Sequence, residues 1–282
     1  MVRLDWKKID QLIDWALNED IGSGDLTTDG IVEEETRARG IISAKDPMIL
    51  AGIDIVPRIF KKSHLTFDFE AFFKDGDFVS KGDVITTIEG SAKVILTYER
   101  VVLNFLQRLS GIATYASKFA AQVEGTKAKI VDTRKTTPGW RMLEKYAVKV
   151  GGGENHRFGL FDAVLIKDNH IKLCGGIKDA VEKMRKFMPP YLKVEVEASN
   201  LSEVENALQA GAEIIMLDNM SVEEIREAVK RIDGKAVIEV SGGVNLSNIR
   251  EIAQMGVDLI SIGALTHSPT AVDISMKVEG II

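Results

Sequence analysis

The chain is short of cysteine, of net positive charge and of long apolar runs, and each lack excludes something. Its 282 residues hold one cysteine, Cys174. An intrachain disulfide is therefore excluded and a cysteine-built zinc site is not expected. A lone thiol suits a reducing compartment, so a cytoplasmic location is expected. The net charge of −6 and the pI near 5.4 argue against a general nucleic-acid binder, which is usually basic. Cations that matter must then be local clusters on an acidic background. No apolar run approaches the roughly 18 residues that span a bilayer, and no membrane partner is expected. Ile9, Leu12, Ile13, Ala16 and Leu17 recur at helical spacing among Lys8, Asp10, Gln11 and Asp14. That pattern predicts an amphipathic surface helix, not a secretory signal.

What is present is an ordinary globular balance, 45% hydrophobic and 28% charged, enough for one large domain or two modest ones. The chain has two rhythms. Residues 19–28 read as a polar, turn-rich loop. Strand-like runs follow at 36–44, 65–73 and 84–89, the last two joined by a segment with two Asp/Gly turns, a hairpin signature. From about Tyr98 the periodicity turns helical, through Val102, Phe105, Leu106 and Leu109 and on past Gly111. After Lys127, short Val- and Ile-rich runs at 128–133, 163–166, 192–196, 213–217, 236–240 and 258–262 alternate with helical stretches such as 202–210, 222–231 and 248–255. Continuous apolar runs of that length suit parallel strands buried on both faces. Six of them argue for a parallel α/β barrel, complete or incomplete, with a doubly wound open sheet as the alternative. Val272, Ile274, Met276 and Val278 alternate with polar residues, which predicts a final strand free to return to the N-terminal region.

A parallel barrel carries its chemistry where the strands end. The runs end in Asp132-Thr133-Arg134-Lys135, in Lys167-Asp168-Asn169-His170, at Glu195 and Glu197, at Asp218-Asn219, in Ser241-Gly242-Gly243 and in Ile262-Gly263-Ala264. A structural core has no need of charge at every strand end, so the convergence points to a site. The glycine turns let backbone amides approach an anion, with Asn245 as the expected N-cap of the helix that follows. Arg134, Lys135, Lys167 and the loop Gly151 to Arg157 imply a polyanionic ligand. Glu197 and Asp218, on adjacent strands, suit Mg²⁺ held directly or through water. Glu195, two residues before Glu197, shares its face. Lys167 directly follows an apolar run, and on its own it also fits a Schiff-base aldolase.

These motifs resemble the quinolinate phosphoribosyltransferase family. The likeness rests on the Thr-Arg-Lys-Thr-Thr-Pro-Gly segment from Thr133 to Gly139, the Gly151–Arg157 loop, Lys167 to His170, Glu195-Val196-Glu197, Ser241-Gly242-Gly243 and Gly263 to Ser268. Asn18-Glu19-Asp20, Gly24 to Thr28, and Glu99-Arg100 with Leu103-Asn104 extend it over nearly the whole chain. The resemblance implies an N-terminal α/β sandwich domain over residues 1–110, joined by a strand at about 270–282, and an incomplete α/β barrel over 111–269. It implies a Mg²⁺-dependent reaction of quinolinate with phosphoribosyl pyrophosphate, with loss of carbon dioxide, in pyridine nucleotide (NAD) biosynthesis. It implies a homodimer, or a higher assembly built on one, with shared active sites. By position it places Arg100 of a neighbouring subunit, Thr133, Arg134, His156, Arg157 and Lys167 around quinolinate. Lys135, Glu197, Asp218, Ser241, Gly242, Gly243, Ile262, Gly263 and Ala264 fall around phosphoribosyl pyrophosphate. Lys167, Glu197 and Asp218 are the expected catalytic groups, and Glu197 and Asp218 the expected metal ligands. The rivals are a relative of the same fold acting on another base, the aldolase, and a non-catalytic phosphate-binding module.

Overall fold

The computed structural model describes residues 4–282. These divide into two compact units.

The first unit comprises the residues up to Ser117, together with Thr137–Gly152 and Ser268–Ile282. It opens with α1 (Trp6–Ile21), whose N-cap Asp5 accepts from the amides of Lys7 and Lys8. Ile9, Ile13 and Leu17 are its buried face, as the spacing predicts. The expected loop at 19–28 is shorter than predicted. Glu19 to Ile21 still belong to α1, and α2 (Leu26–Ile31) starts at once behind Asp25. Asp25 is an N-cap, accepting from the Thr28 amide at 3.0 Å and the Thr28 hydroxyl at 2.6 Å. That geometry explains the Gly-Asp-Leu-Thr-Thr run as helix-start chemistry.

The strands β1 (Arg37–Ala44), β2 (Met48–Ile49), β3 (Asp68–Ala71), β4 (Phe78–Val79) and β5 (Val84–Ser91) surround α3 (Ile55–Lys61) in the chain. β3 and β5 pair antiparallel, as the turn signals predict, and β4 between them pairs with β2. The long α4 (Ala92–Val123) follows directly on β5. It starts earlier than the apolar periodicity suggests and runs unbroken through Gly111, where a Cβ would strike the carbonyl of Thr270. Segment 137–152, expected in the barrel, lies in the first unit. There Trp140 stacks on Phe105 at 4.7 Å. The fully buried Glu144 accepts from Thr137 and from Arg108, at the start of α5 (Arg141–Val150).

The second unit is Lys118–Thr136 with Gly153–His267. Its strands are β6 (Lys129–Val131), β7 (Val164–Ile166), β8 (Val194–Ala198), β9 (Ile214–Asp218), β10 (Val237–Ser241) and β11 (Leu259–Ser261). The helices between them are α6 (Asp168–Cys174), α7 (Ile177–Phe187), α8 (Leu201–Gln209), α9 (Val222–Ile232) and α10 (Ile249–Gln254), and α11 (Ala264–His267) follows the last. Ser221 caps α9 in a reciprocal pair with Glu224, the N-terminus that its sequence announces.

All the strand pairings are parallel, and the order is β6-β11-β10-β9-β8-β7. From β7 to β11 consecutive strands lie side by side, and β6, the first, pairs with β11, the last. An open doubly wound sheet reverses its order at a switch point; a curled sheet brings first and last together. The sheet is therefore a barrel, left open between β6 and β7. On that seam Glu154 docks beside β6, donating its amide to the Ile130 carbonyl at 2.8 Å.

The last strand, β12 (Ile274–Ile281), belongs to the first unit. It pairs antiparallel with β1 from Ala44↔Ile274 to Ala38↔Ile281, which gives the sheet order β12-β1-β5-β3.

Candidate active site

Alternation along the barrel strands decides which side chains meet inside. Glu197, Met216 and Glu239 are level across β8, β9 and β10, and Asp218, Ser241 and Ser261 form the next row toward the strand ends. Together with the loops they line a cavity of about 660 Å³. Thr133, Arg134, Lys135, His156, Arg157, Lys167, Glu197, Asp218, Ser241, Gly242, Gly243, Ile262, Gly263 and Ala264 all line it. Of the substrate and metal residues that the resemblance implies, Arg100 alone does not. It is exposed on α4, in the first unit.

Local chemistry sets each wall. The Thr133–Thr136 turn is held by the Thr133 hydroxyl, which accepts from the Lys135 amide at 3.1 Å. The buried Thr266 hydroxyl donates to the Lys135 carbonyl at 2.6 Å. Arg134 is thereby half-buried while Lys135 stays exposed at the mouth. Buried Asp132 organises the facing loop. It accepts from Asn155 Nδ2 at 2.7 Å and from the His156 amide at 3.0 Å.

Gly242 has φ +85°, and a Cβ there would collide with the side chain of Asn219. Glycine is thus required twice over, by backbone conformation and by space. Asn219, itself at φ 53°, donates its amide to the Ser241 carbonyl at 2.9 Å and its Nδ2 to Asp218 at 2.8 Å. Asn245 is not the N-cap expected of it. Its amide donates to Asn248 Oδ1 at 2.9 Å, and Asn248 Nδ2 bonds the Gly243 carbonyl at 3.0 Å. The two asparagines shape the glycine turn instead. His170 has a structural task, its Nδ1 accepting the Lys167 amide at 2.9 Å where α6 begins. His267, by contrast, lines the cavity beside Gly263.

Lys167 Nζ lies 3.2 Å from Glu197 Oε2, with the lysine about half exposed and the glutamate largely buried. That is an ion pair at a strand end, not the desolvated lysine that Schiff-base chemistry calls for.

Deeper in, His156 Nε2 stands 3.3 Å from Glu195 Oε2 and 3.3 Å from Glu239 Oε2. Burial works against a charged ring. The hydrogen bonds and charges of the two glutamates outweigh it and push the His156 pKa up to about 10. Burial, reinforced by Glu239, raises the Glu195 carboxyl above its ordinary value against the pull of His156 and Arg157. Burial and the neighbouring charge of Arg134 lower Arg157, and Glu195 opposes that. The Arg157 amide points at His156 Nδ1 from 2.8 Å. A ring protonated on both nitrogens could not accept there, so this contact and the carboxylates pull in opposite directions. Both put a hydrogen on Nε2, the feature that holds either way.

Sequence reasoning missed Glu239. It lies inside the apolar run Val237-Ile238-Glu239-Val240, and the one available signal was a charge interrupting a buried strand.

A partly closed parallel barrel whose strand ends pool four basic side chains, three acids and two glycine turns defines a binder of multiply charged anions. The comparisons with known proteins carry this further. Residues 25–110 match the family described as quinolinate phosphoribosyl transferase, N-terminal domain, and residues 112–277 its C-terminal domain. A Bacillus subtilis protein named probable nicotinate-nucleotide pyrophosphorylase (carboxylating) is 43% identical over 96% of this chain and 93% of its own. The crystal structure of nicotinate-nucleotide pyrophosphorylase from Ehrlichia chaffeensis superposes with a TM-score of 0.92 at 44% identity, covering 95% of this chain and 98% of that one. NadC from Streptococcus pyogenes gives 0.94 at 42% identity, covering 99% and 98%. The chain belongs to the quinolinate phosphoribosyltransferase family.

Proposed function

We propose that the chain transfers the phosphoribosyl group of phosphoribosyl pyrophosphate to quinolinate and releases carbon dioxide, giving nicotinate mononucleotide and pyrophosphate. The observation that carries this reading is the sorting of charge in one cavity. Arg134, His156, Arg157 and Lys167 line it together with Glu197, Asp218 and two glycine turns. A pyridine dicarboxylate needs several cations, and a phosphorylated ribose needs backbone amides and a glycine-lined approach. The names of the relatives agree with that chemistry.

In this reading Arg134, Arg157 and Lys167 hold the two carboxylates, and Thr133 contributes a hydroxyl. Lys135 and the turns at Ser241–Gly243 and Ile262–Ala264 hold the phosphates. The pyridine nitrogen attacks C1 of the ribose as pyrophosphate leaves, through a transition state with positive charge on the sugar. Glu197 and Asp218 stabilise that charge electrostatically. The donor set also fits Mg²⁺, for both groups supply hard carboxylate oxygens from adjacent strands into one cavity. Mg²⁺ bound there would neutralise the departing pyrophosphate. Loss of the 2-carboxylate as carbon dioxide leaves its electron pair on C2 beside the cationic ring nitrogen, and a proton replaces it. No side chain becomes covalent.

Arg100 enters from a second subunit of a homodimer, and the location is cytoplasmic. Among the described residues no helix is long and apolar enough to cross a membrane.

Substrate choice tests the reading. Quinolinate should be converted, and nicotinate, which lacks the second carboxylate, should be used poorly. Equal use of the two, or trapping of a carbonyl substrate on Lys167 by borohydride, would overturn it. The cradle is tested apart from the base pocket. Gly242→Val is expected to push Asn219 aside and raise the KM for phosphoribosyl pyrophosphate with little change for quinolinate. An unchanged KM in a folded variant contradicts the phosphate assignment.

A further inference from the structure

We propose that Glu195 and Glu239 are positioning residues of the dicarboxylate pocket, holding the His156 ring from behind in one orientation with its Nε2–H turned inward. This rests on the proposed function for what the pocket binds, but not for how the ring is held.

Three observations carry it. The ring is gripped at both nitrogens, Nε2 by Glu195 and Glu239 at 3.3 Å each and Nδ1 by the Arg157 amide at 2.8 Å. Its backbone is fixed as well, by Asp132. The acids are also costly where they stand. Glu239 is fully buried between Ile238 and Val240. Glu195 Oε1 and Glu239 Oε1 have no hydrogen-bond partner, and Glu239 Oε2 has only the 3.3 Å ion-pair contact with His156, which is not aligned as a hydrogen bond. Buried carboxylates left so poorly satisfied destabilise a fold, and an apolar residue would serve packing alone better. Finally, they stand where charge has to be balanced. Arg134 and Arg157 repel each other, and the charge of Glu195 acts on Arg157 in the opposite sense. The pair thus lets Arg134 and Arg157 crowd one wall of the cavity beside the ring.

One consequence is that His156 has no ring nitrogen left for a substrate carboxylate. It meets the ligand through the rest of the ring, by shape.

The same three side chains offer ligand atoms within 4.8 Å of one another, close enough to hold a metal ion. The Nε2–H and the charge of Arg157 already supply what a cation would, and metal capture is therefore an outcome that the test must exclude.

The test uses Glu239→Gln and Glu195→Gln, each nearly isosteric. The protein is labelled with ¹⁵N-histidine and titrated with benzene-1,2-dicarboxylate, an unreactive analogue. The chain has four histidines, so His156 can be assigned by difference. Both variants should shift the His156 ring signals and weaken dicarboxylate binding by on the order of 10-fold or more. The KM for phosphoribosyl pyrophosphate should stay unchanged and the thermal midpoint should not fall. Unchanged ring signals in both variants overturn the proposal. So does stoichiometric binding of Zn²⁺ or Mn²⁺ that the variants lose. If the unaltered protein binds no dicarboxylate while the ring signals still move in the variants, the positioning stands and the reading of the pocket falls.

Discussion

Asp218→Asn is expected to lower kcat at least about 100-fold, the order of effect seen when a preorganised charge at a reacting centre is removed. The substitution preserves shape and takes away one negative charge at the end of β9, where Asp218 faces the cavity and accepts from Asn219. If the aspartate helps hold Mg²⁺ against the pyrophosphate, its loss should also raise the Mg²⁺ concentration needed for half-maximal rate. Quinolinate binding should survive, because Asp218 stands on the phosphate side of the proposed site. Glu197→Gln should behave differently. Its carboxylate also pairs with Lys167, so that variant should lose both turnover and affinity for quinolinate. Kinetics at varied Mg²⁺, with chelator as the end point, separate the two. Full activity in excess chelator would remove the metal from the account.

The second large effect concerns Arg100. It is exposed on α4, outside the set of residues that line the barrel cavity, while the proposed function requires it at a quinolinate carboxylate. In the proposed homodimer, two-fold symmetry would resolve this by supplying the arginine from a neighbouring subunit. Losing one charge-assisted contact costs about 1.5–3 kcal/mol, or roughly 10- to 150-fold. Arg100→Ala should therefore weaken quinolinate use and spare the phosphate substrate. Complementation gives the sharper result. Arg100→Ala and Lys167→Ala, each strongly impaired alone at limiting quinolinate, are mixed and allowed to exchange subunits. A mixed dimer then carries one site with both lesions and one with neither, and activity returns. Mixed dimers that form and stay inactive would show that the arginine acts within its own chain or not at all.

How far the sequence reveals this follows from what each residue has to do. The six barrel strands stand out because a strand buried on both faces must be apolar throughout, and each observed strand begins or ends within about two residues of its apolar run. The rim is legible for the complementary reason, since charge at the end of an apolar run serves no packing purpose. The stretch from Glu19 to Thr28 misleads because helix caps and loops share a vocabulary of Asp, Gly and Thr; only Asp25 bonding to Thr28 tells them apart. The start of α4 hides in Gly90-Ser91-Ala92-Lys93, which has a turn's composition. That segment 137–152 lies in the first unit was not legible, since it depends on long-range contacts such as Trp140 on Phe105. Glu239 was hidden by its own strand, whose apolar neighbours mark it as core. The role of Arg100 came from resemblance alone, because no pattern within one chain indicates what a second copy contributes.

Decarboxylation tests the central claim most directly. Quinolinate labelled with ¹⁴C in its 2-carboxylate is incubated with the protein, phosphoribosyl pyrophosphate and Mg²⁺, and labelled carbon dioxide, nicotinate mononucleotide and pyrophosphate are measured together. The account predicts that the three appear in equal amounts and that none forms when phosphoribosyl pyrophosphate is left out. Pyrophosphate released without labelled carbon dioxide, or a product that keeps the label, would contradict it.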